Sequence, residues 1–327
     1  MVKRAVSVSS ERWRLAEPFV TSHQAYLFSD FVVVELREGS CVGRGEASGV
    51  EYKGETPQSL LDDIERVRSL LEAGLSRDEL QRVLPAGGAR NAIDCALWAL
   101  EADIKGIRAA RIAGVRPTKF QTVKTLSLNT PEKMADQARR AREFGILKLK
   151  LDASEPTPCA SAVKAARPDA RLIADINGGW TLSELRLFSR ELAAIGVEMI
   201  EQPLAAGEDS EITRSDSPIP LCADESCSTR EDLVRLPDGY SMICIKLDKA
   251  GGLTEALALA NAARAQGLRL MVSNMIGTSL GMAPASLIAG LCDYVDLDGP
   301  LLLETDRVPG IMYQGDQAAL FERDVWA

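Results

Sequence analysis

The sequence predicts an α/β chain: a closed (β/α)-type barrel with an α+β domain ahead of it. Three observations carry that prediction. Apolar runs each closed by a charged residue recur every 22 to 26 residues, at Lys150, Asp175, Glu201, Asp224 and Lys246. Each gap between them holds one amphipathic, helix-like segment, and parallel strands need helical crossovers of that length. Further apolar runs at 121–128, 267–273 and 291–296 bring the strand count to eight, which suits a closed barrel better than an open sheet. In such a barrel, active groups project from the C-terminal ends of the strands, where these charges fall.

Ahead of the barrel, residues 1–50 alternate in period two, with 30–39 and 41–46 reading as two strands joined at a glycine turn. Residues 57–71 place Leu60, Leu61, Ile64, Val67 and Leu71 on one helical face. Ser76 and Glu79 form a capping box that opens a second helix over 76–83. Gly87 and Gly88 break the chain before an Ala-rich apolar helix over 89–102, expected to pack between the two domains. The expected division is a capping domain over 1–116, completed by 300–327 folding back onto it, and a barrel over 117–299.

The chain has 327 residues, enough for a barrel and a second domain. Its net charge of −9 argues against nucleic acid and anionic membranes as partners, which leaves a small molecule in a pocket. A homo-oligomer is compatible with this reading. The first residues lack the apolar run of a signal peptide and no stretch has the length of a transmembrane helix, so a cytoplasmic location is expected. The seven cysteines are scattered, with no Cys-x-x-Cys pair, and read as reduced core residues.

Lys148 and Lys150 lie two apart, so both point to one face of their strand while Leu147, Leu149 and Leu151 point to the other. On an edge strand this would be a solvated face; inside a barrel it demands a polar mouth. Asp175, Glu201 and Asp224 are carboxylates at three successive strand ends, hard oxygen ligands of the kind that suit Mg²⁺. Each could instead cap a helix, yet Thr181 with Glu184 and Ser228 with Glu231 already form capping boxes just downstream. Lys246 falls roughly across the barrel from Lys150. With Lys148 and a metal nearby, its pKa is expected to be lowered, so that the two lysines could serve one carbon from opposite sides as bases. Asp296 and Asp298 share a face and could hold an ammonium, although an Asp-x-Asp turn is the commoner meaning.

Lys148-Leu-Lys150, Asp175-Ile-Asn177, Glu201-Gln-Pro203, Asp224-Glu-Ser226 and the run from Lys246 to Gly252 together resemble the enolase superfamily in its muconate-lactonizing-enzyme subgroup. Asp296-Leu-Asp298, residues 90–98 and residues 222–227 are similar to dipeptide epimerases of that subgroup. The resemblance implies a modified TIM barrel, (β/α)7β, under an α+β cap. It implies one Mg²⁺ per subunit on Asp175, Glu201 and Asp224, Lys150 and Lys246 as the acid/base pair, and Lys148 on the substrate carboxylate. Thr125 would contact substrate, and Asp296 and Asp298 would hold the ammonium of a dipeptide. The activity implied is a 1,1-proton transfer at the C-terminal residue's α-carbon, with L-Ala-D/L-Glu of peptidoglycan peptides as the default by analogy. A lyase of the o-succinylbenzoate synthase or muconate cycloisomerase type is the alternative, and its substrates lack the ammonium. A metal-dependent binding protein would need no pair of lysines. One departure stands out. L-Ala-D/L-Glu enzymes carry an arginine for the glutamate side chain on the loop matching 21–26, and here that loop has none: a glutamate carboxylate would need His23, Lys53 or a bound water, and a dipeptide with a hydrophobic or polar second residue near Tyr26 and Tyr52 is the alternative.

Overall fold

The computed structural model describes residues 4–21, 24–318 and 325–326. The first three strands, Ala5–Val20, Ala25–Glu38 and Cys41–Ala47, form an antiparallel meander in sequence order. Its turn at Gly39 takes a positive φ of 62°, which glycine adopts without a Cβ penalty. Helices Pro57–Glu72 and Arg77–Val83 each begin at a complete capping box, Thr56 with Ser59 and Ser76 with Glu79. The long helix Gly88–Lys105 is buried nearly all round. It lies so close to the sheet that a Cβ on Gly43 or Gly45 would fall 2.1 Å from the carbonyl of Ala96 or Ala92. Its other side meets the barrel, where Arg90 donates to the Ala250 carbonyl (2.7 Å) and the Trp98 indole to Thr254 Oγ1 (2.9 Å).

Eight parallel strands follow in sequence order: Lys124–Leu126, Ile146–Lys150, Arg171–Asp175, Val197–Glu201, Leu221–Ala223, Tyr240–Lys246, Arg269–Ser273 and Tyr294–Val295. The Val123 N–H donates to the Val295 carbonyl at 2.8 Å, joining the first strand's segment to the last. Alternation is kept throughout. Leu147, Leu149 and Leu151 face the large core shared with the helices, while Ile146, Ile173, Met199, Cys222, Met242 and Met271 fill the interior below the lysines.

Helices Pro131–Arg140, Pro156–Ala166, Leu182–Ile195 and Leu253–Ala265 cover the outside, with Ser279–Ala285 before the last strand. The expectation of a helix in every gap fails twice. Residues 202–220 form turns, since Pro203, Gly207, Pro218 and Pro220 interrupt the segment and Leu204, Ile212 and Ile219 reach the core without a helix. After the fifth strand only the 3-10 turn Asp232–Val234 forms. Ser228 caps nothing there: its hydroxyl accepts from Lys53, and its backbone N–H donates to Asp232 rather than meeting Glu231.

The tail divides its contacts. Leu303 bridges to Leu15, and Arg307 pairs with Glu11 and Glu46 of the cap (both 2.8 Å). Tyr313–Gln314 and Gln317–Ala318 instead form a small sheet with Phe120–Gln121 at the foot of the first barrel strand. All seven cysteines are free, and no described helix is long and apolar enough to cross a membrane.

Candidate active site

One cavity of about 680 Å³ between barrel and cap is lined by Thr125, Lys148, Lys150, Lys246, Asp296 and Asp298 at strand ends one, two, six and eight, with Asn177, Glu225 and Asn274 just past strands three, five and seven. Lys148 lies deepest. Its ammonium stands 2.9 Å from Asp175, 2.8 Å from Glu201 and 2.9 Å from Asp296. Lys150 donates to Asp175 Oδ2 at 2.6 Å and Asn177 Oδ1 at 2.8 Å. Lys246 donates to Asp224 Oδ2 at 2.6 Å. Each of the two lysines expected to flank the substrate is thus paired with a different outer carboxylate of the triad.

Asp175, Glu201 and Asp224 are all fully buried. Burial alone would keep them neutral, but Lys148 and Lys150 hold Asp175, and Lys246 and Lys249 hold Asp224, well below the usual carboxylate range. Glu201 is pushed up to about 8, by burial first and then by Asp175. Neither Glu201 oxygen has a hydrogen-bond partner; the Lys148 contact has the distance of an ion pair without hydrogen-bond alignment. Asp224 Oδ1 is likewise matched by a cation, Lys249, and by no aligned hydrogen bond. Buried carboxylate oxygens left this way suit a divalent cation, whose charge relieves their mutual repulsion. The ligand atoms of Glu201 and Asp224 lie within 4.8 Å of each other and of Cys244 Sγ, a thiol the sequence placed in the core, while Asp175 stays with its lysines.

The protein's own groups do not lower the Lys246 pKa, and the expected lowering counts a metal among its causes. Burial does oppose its charge, but Asp224 outweighs burial and raises the pKa well above that of a free lysine, and Lys148 is raised in the same way by Asp175, Asp296 and Glu201. A cation that took up the charge of Asp224 would weaken that hold on Lys246.

At the eighth strand, Asp296 Oδ2 accepts from Lys148 and from Ser273 Oγ, both at 2.9 Å. Asp298 accepts the Thr125 N–H at 2.9 Å and stands 3.6 Å from Lys124. Thr125 also lines the cavity, its hydroxyl 3.4 Å from Asp296. Tyr26 and Tyr52 line the cap side. Lys53 is drawn away to Ser228, and His23 lies outside the described residues.

Several site residues escaped the sequence reading. Lys249 is completely buried, 2.6 Å from Asp224 Oδ1, and donates to the carbonyls of Asp224, Cys227 (2.9 Å) and Cys244 (3.0 Å). Gln202, held at a positive φ of 37°, accepts the Asp224 N–H at 2.8 Å and so orients the triad's third member. Asn177, with φ 50°, links Lys150 to Glu225. A non-glycine residue at positive φ costs energy that its side-chain bonds must offset, and such positions gather at functional sites. Both follow a strand-end acid by one or two residues, the one signal that could have found them.

Two family descriptions match this chain: the mandelate racemase / muconate lactonizing enzyme N-terminal domain over residues 3–113, and the enolase C-terminal domain-like family over residues 133–306. The chain belongs to the enolase superfamily. Within it, the sequence is 42% identical to the L-Ala-D/L-Glu epimerase of Escherichia coli K12 over 95% of this chain and 98% of the other. An enolase family member from Agrobacterium tumefaciens with homology to dipeptide epimerases, solved with bound sodium and L-Ala-L-Glu, superposes with a TM-score of 0.97. It is 41% identical and the match covers 99% and 100% of the two chains. A dipeptide epimerase from Enterococcus faecalis V583, solved with Mg and L-Leu-L-Tyr, superposes with a TM-score of 0.91 at 25% identity, over 98% of each chain.

Proposed function

We propose that this enolase-superfamily chain is a Mg²⁺-dependent dipeptide epimerase acting at the α-carbon of the C-terminal residue. The observation that carries the reading is the pair of lysines in one cavity, Lys150 and Lys246, each 2.6 Å from a different carboxylate. Asp175, Glu201 and Asp224 would hold the Mg²⁺, which when bound supplies positive charge to stabilise the negative charge that develops on the substrate carboxylate. Lys148 would bind that carboxylate as well, and Asp296 with Asp298 and Thr125 would orient the ammonium at the eighth strand. One lysine removes the α-proton while the other, still protonated, returns one to the opposite face. In this reading residues 1–116, joined by the tail from 300 through Arg307, act as the cap and 117–299 as the catalytic barrel, while Tyr313–Gln314 and Gln317–Ala318 pair at the barrel's foot. The relatives above were bound or named with both an anionic and a neutral second residue, which leaves the side-chain preference to this chain's own pocket wall.

Incubation with dipeptides and Mg²⁺ in D₂O tests the proposal. The wild type should interconvert epimers and place deuterium at the C-terminal residue's α-carbon. Lys150→Ala and Lys246→Ala should each lose epimerisation, with each retaining exchange on a single, opposite epimer. Full epimerisation by either variant would rule out the two-base chemistry.

A further inference from the structure

We infer that the pocket selects a dipeptide whose C-terminal residue carries a cationic side chain of the lysine or arginine type, with Glu51 as its counter-ion. This rests on the epimerase reading above and adds the substrate class. The barrel floor determines where the side chain must lie. The ammonium belongs at the eighth strand with Asp296 and Asp298, the carboxylate at Lys148 and the acid triad, and the α-carbon between Lys150 and Lys246. The remaining direction is toward the cap, and the segment around Glu51 lies on the Lys246 side. Ser48 and Gly49 are tied by their N–H groups to Asp248 Oδ1 (3.1 and 2.9 Å), two residues beyond Lys246.

The cap wall that faces this direction contains carboxylates and, among the described residues, no lysine or arginine. Asp30 is already paired with a cation, and the carboxylate of Glu55 is taken up by backbone N–H groups. Arg12 donates to both oxygens of Asp30 at 2.7 and 2.8 Å, and Glu55 accepts the N–H groups of Val50 (2.6 Å) and Gly88 (3.0 Å). Glu51 is different. It is exposed and accepts from the side chains of Gln24 (2.5 Å) and Tyr26 (2.9 Å), so its position is held, and no lysine or arginine among the described residues pairs with it. Each carboxylate oxygen retains a lone pair for a further donor. Phe19, Tyr26 and Tyr52 line the same wall and offer apolar and aromatic surface to the methylene stem and charged head of a lysine or arginine side chain. A glutamate side chain placed there would face Glu51 with like charge and, among the described residues, no lysine or arginine of the cap wall.

The test measures α-deuteration in D₂O for L-Ala-L-Lys, L-Ala-L-Leu and L-Ala-L-Glu with the Mg²⁺-loaded wild type, Glu51→Gln and Glu51→Lys. For the wild type, kcat/KM for L-Ala-L-Lys should exceed that for L-Ala-L-Glu by about 100-fold or more, because like-charge contacts discriminate strongly. Glu51→Gln should lower the ratio of L-Ala-L-Lys to L-Ala-L-Leu by roughly two- to fivefold, the scale of an exposed ion pair. Glu51→Lys should reverse the order of L-Ala-L-Lys and L-Ala-L-Glu. A wild-type preference for L-Ala-L-Glu or L-Ala-L-Leu over L-Ala-L-Lys, or an unchanged ratio in Glu51→Gln, overturns this inference while leaving the epimerase chemistry standing. Absence of deuterium in every dipeptide overturns the epimerase reading itself.

Discussion

Lys249 Nζ stands 2.6 Å from Asp224 Oδ1, opposite the oxygen that accepts from Lys246. The carboxylate is therefore held from both sides, by a lysine that faces the cavity and by one that is wholly enclosed. Lys249 also satisfies three backbone carbonyls, at Asp224, Cys227 and Cys244, so it ties the fifth and sixth strand ends together.

Lys249→Met should cost about 3–5 kcal/mol, the penalty for removing one of the two cations from the buried Asp224 carboxylate and leaving three carbonyls without their donor. Urea unfolding of the two proteins measures it. Because Asp224 would lose its orientation, activity should fall about 10–100-fold even under conditions where the variant is folded.

Mg²⁺ should raise the melting temperature of the wild type, since it binds the folded carboxylate cluster in preference to the unfolded chain. Glu201→Gln should abolish that shift, and EDTA should remove α-proton exchange until Mg²⁺ is restored. A full thermal shift in Glu201→Gln would take the fourth strand's carboxylate out of the ligand set.

Asp94 is buried between the long cap helix and the barrel, where it accepts from Thr254 N (2.9 Å) and Oγ1 (2.6 Å). Burial pushes its pKa up from 3.8 to about 6, with the Thr254 bonds opposing. Between those values the folded chain binds more protons than the unfolded one, so its contribution to stability is fully present below pH 4 and lost as pH rises to 6. Two pKa units correspond to about 3 kcal/mol. Unfolding measured at pH 4.5 and pH 7 should show a smaller difference in Asp94→Asn than in the wild type.

Gly45→Ala would place a Cβ 2.1 Å from the Ala92 carbonyl and force the cap sheet off the helix. A loss of about 1–3 kcal/mol is expected from overpacking, read as a lower urea midpoint.

What the sequence revealed follows from periodicity. Lys148, Lys150, Asp175, Glu201, Asp224 and Lys246 sit on strands whose alternation and spacing place their side chains in the barrel mouth, and all six arrive there. Lys249 falls in the run from Lys246 to Gly252, yet spacing gives it no role, because it lies in the short helix Leu247–Ala250 just past the strand and its partner is 25 residues away. Glu51 is illegible for a similar reason: its meaning comes from Gln24 and Tyr26, at the start of the second cap strand and more than 20 residues away in sequence. The missing helices after the fourth and fifth strands show the limit of apolar spacing, which a turn-rich segment can satisfy by dropping Leu204, Ile212 and Ile219 singly into the core. The raised pKa of Lys246 depends on a 2.6 Å contact that spacing alone could not supply.

The Asp248 carboxylate, which accepts the Ser48 and Gly49 N–H groups from two residues beyond Lys246, makes the segment ahead of Glu51 a tethered appendage of the sixth strand. Grafting a different 50–55 segment to recast substrate choice should succeed when residues 48 and 49 and Asp248 are kept as the splice point. A graft that begins earlier would replace the anchored amides and let the new loop drift away from the lysine it serves.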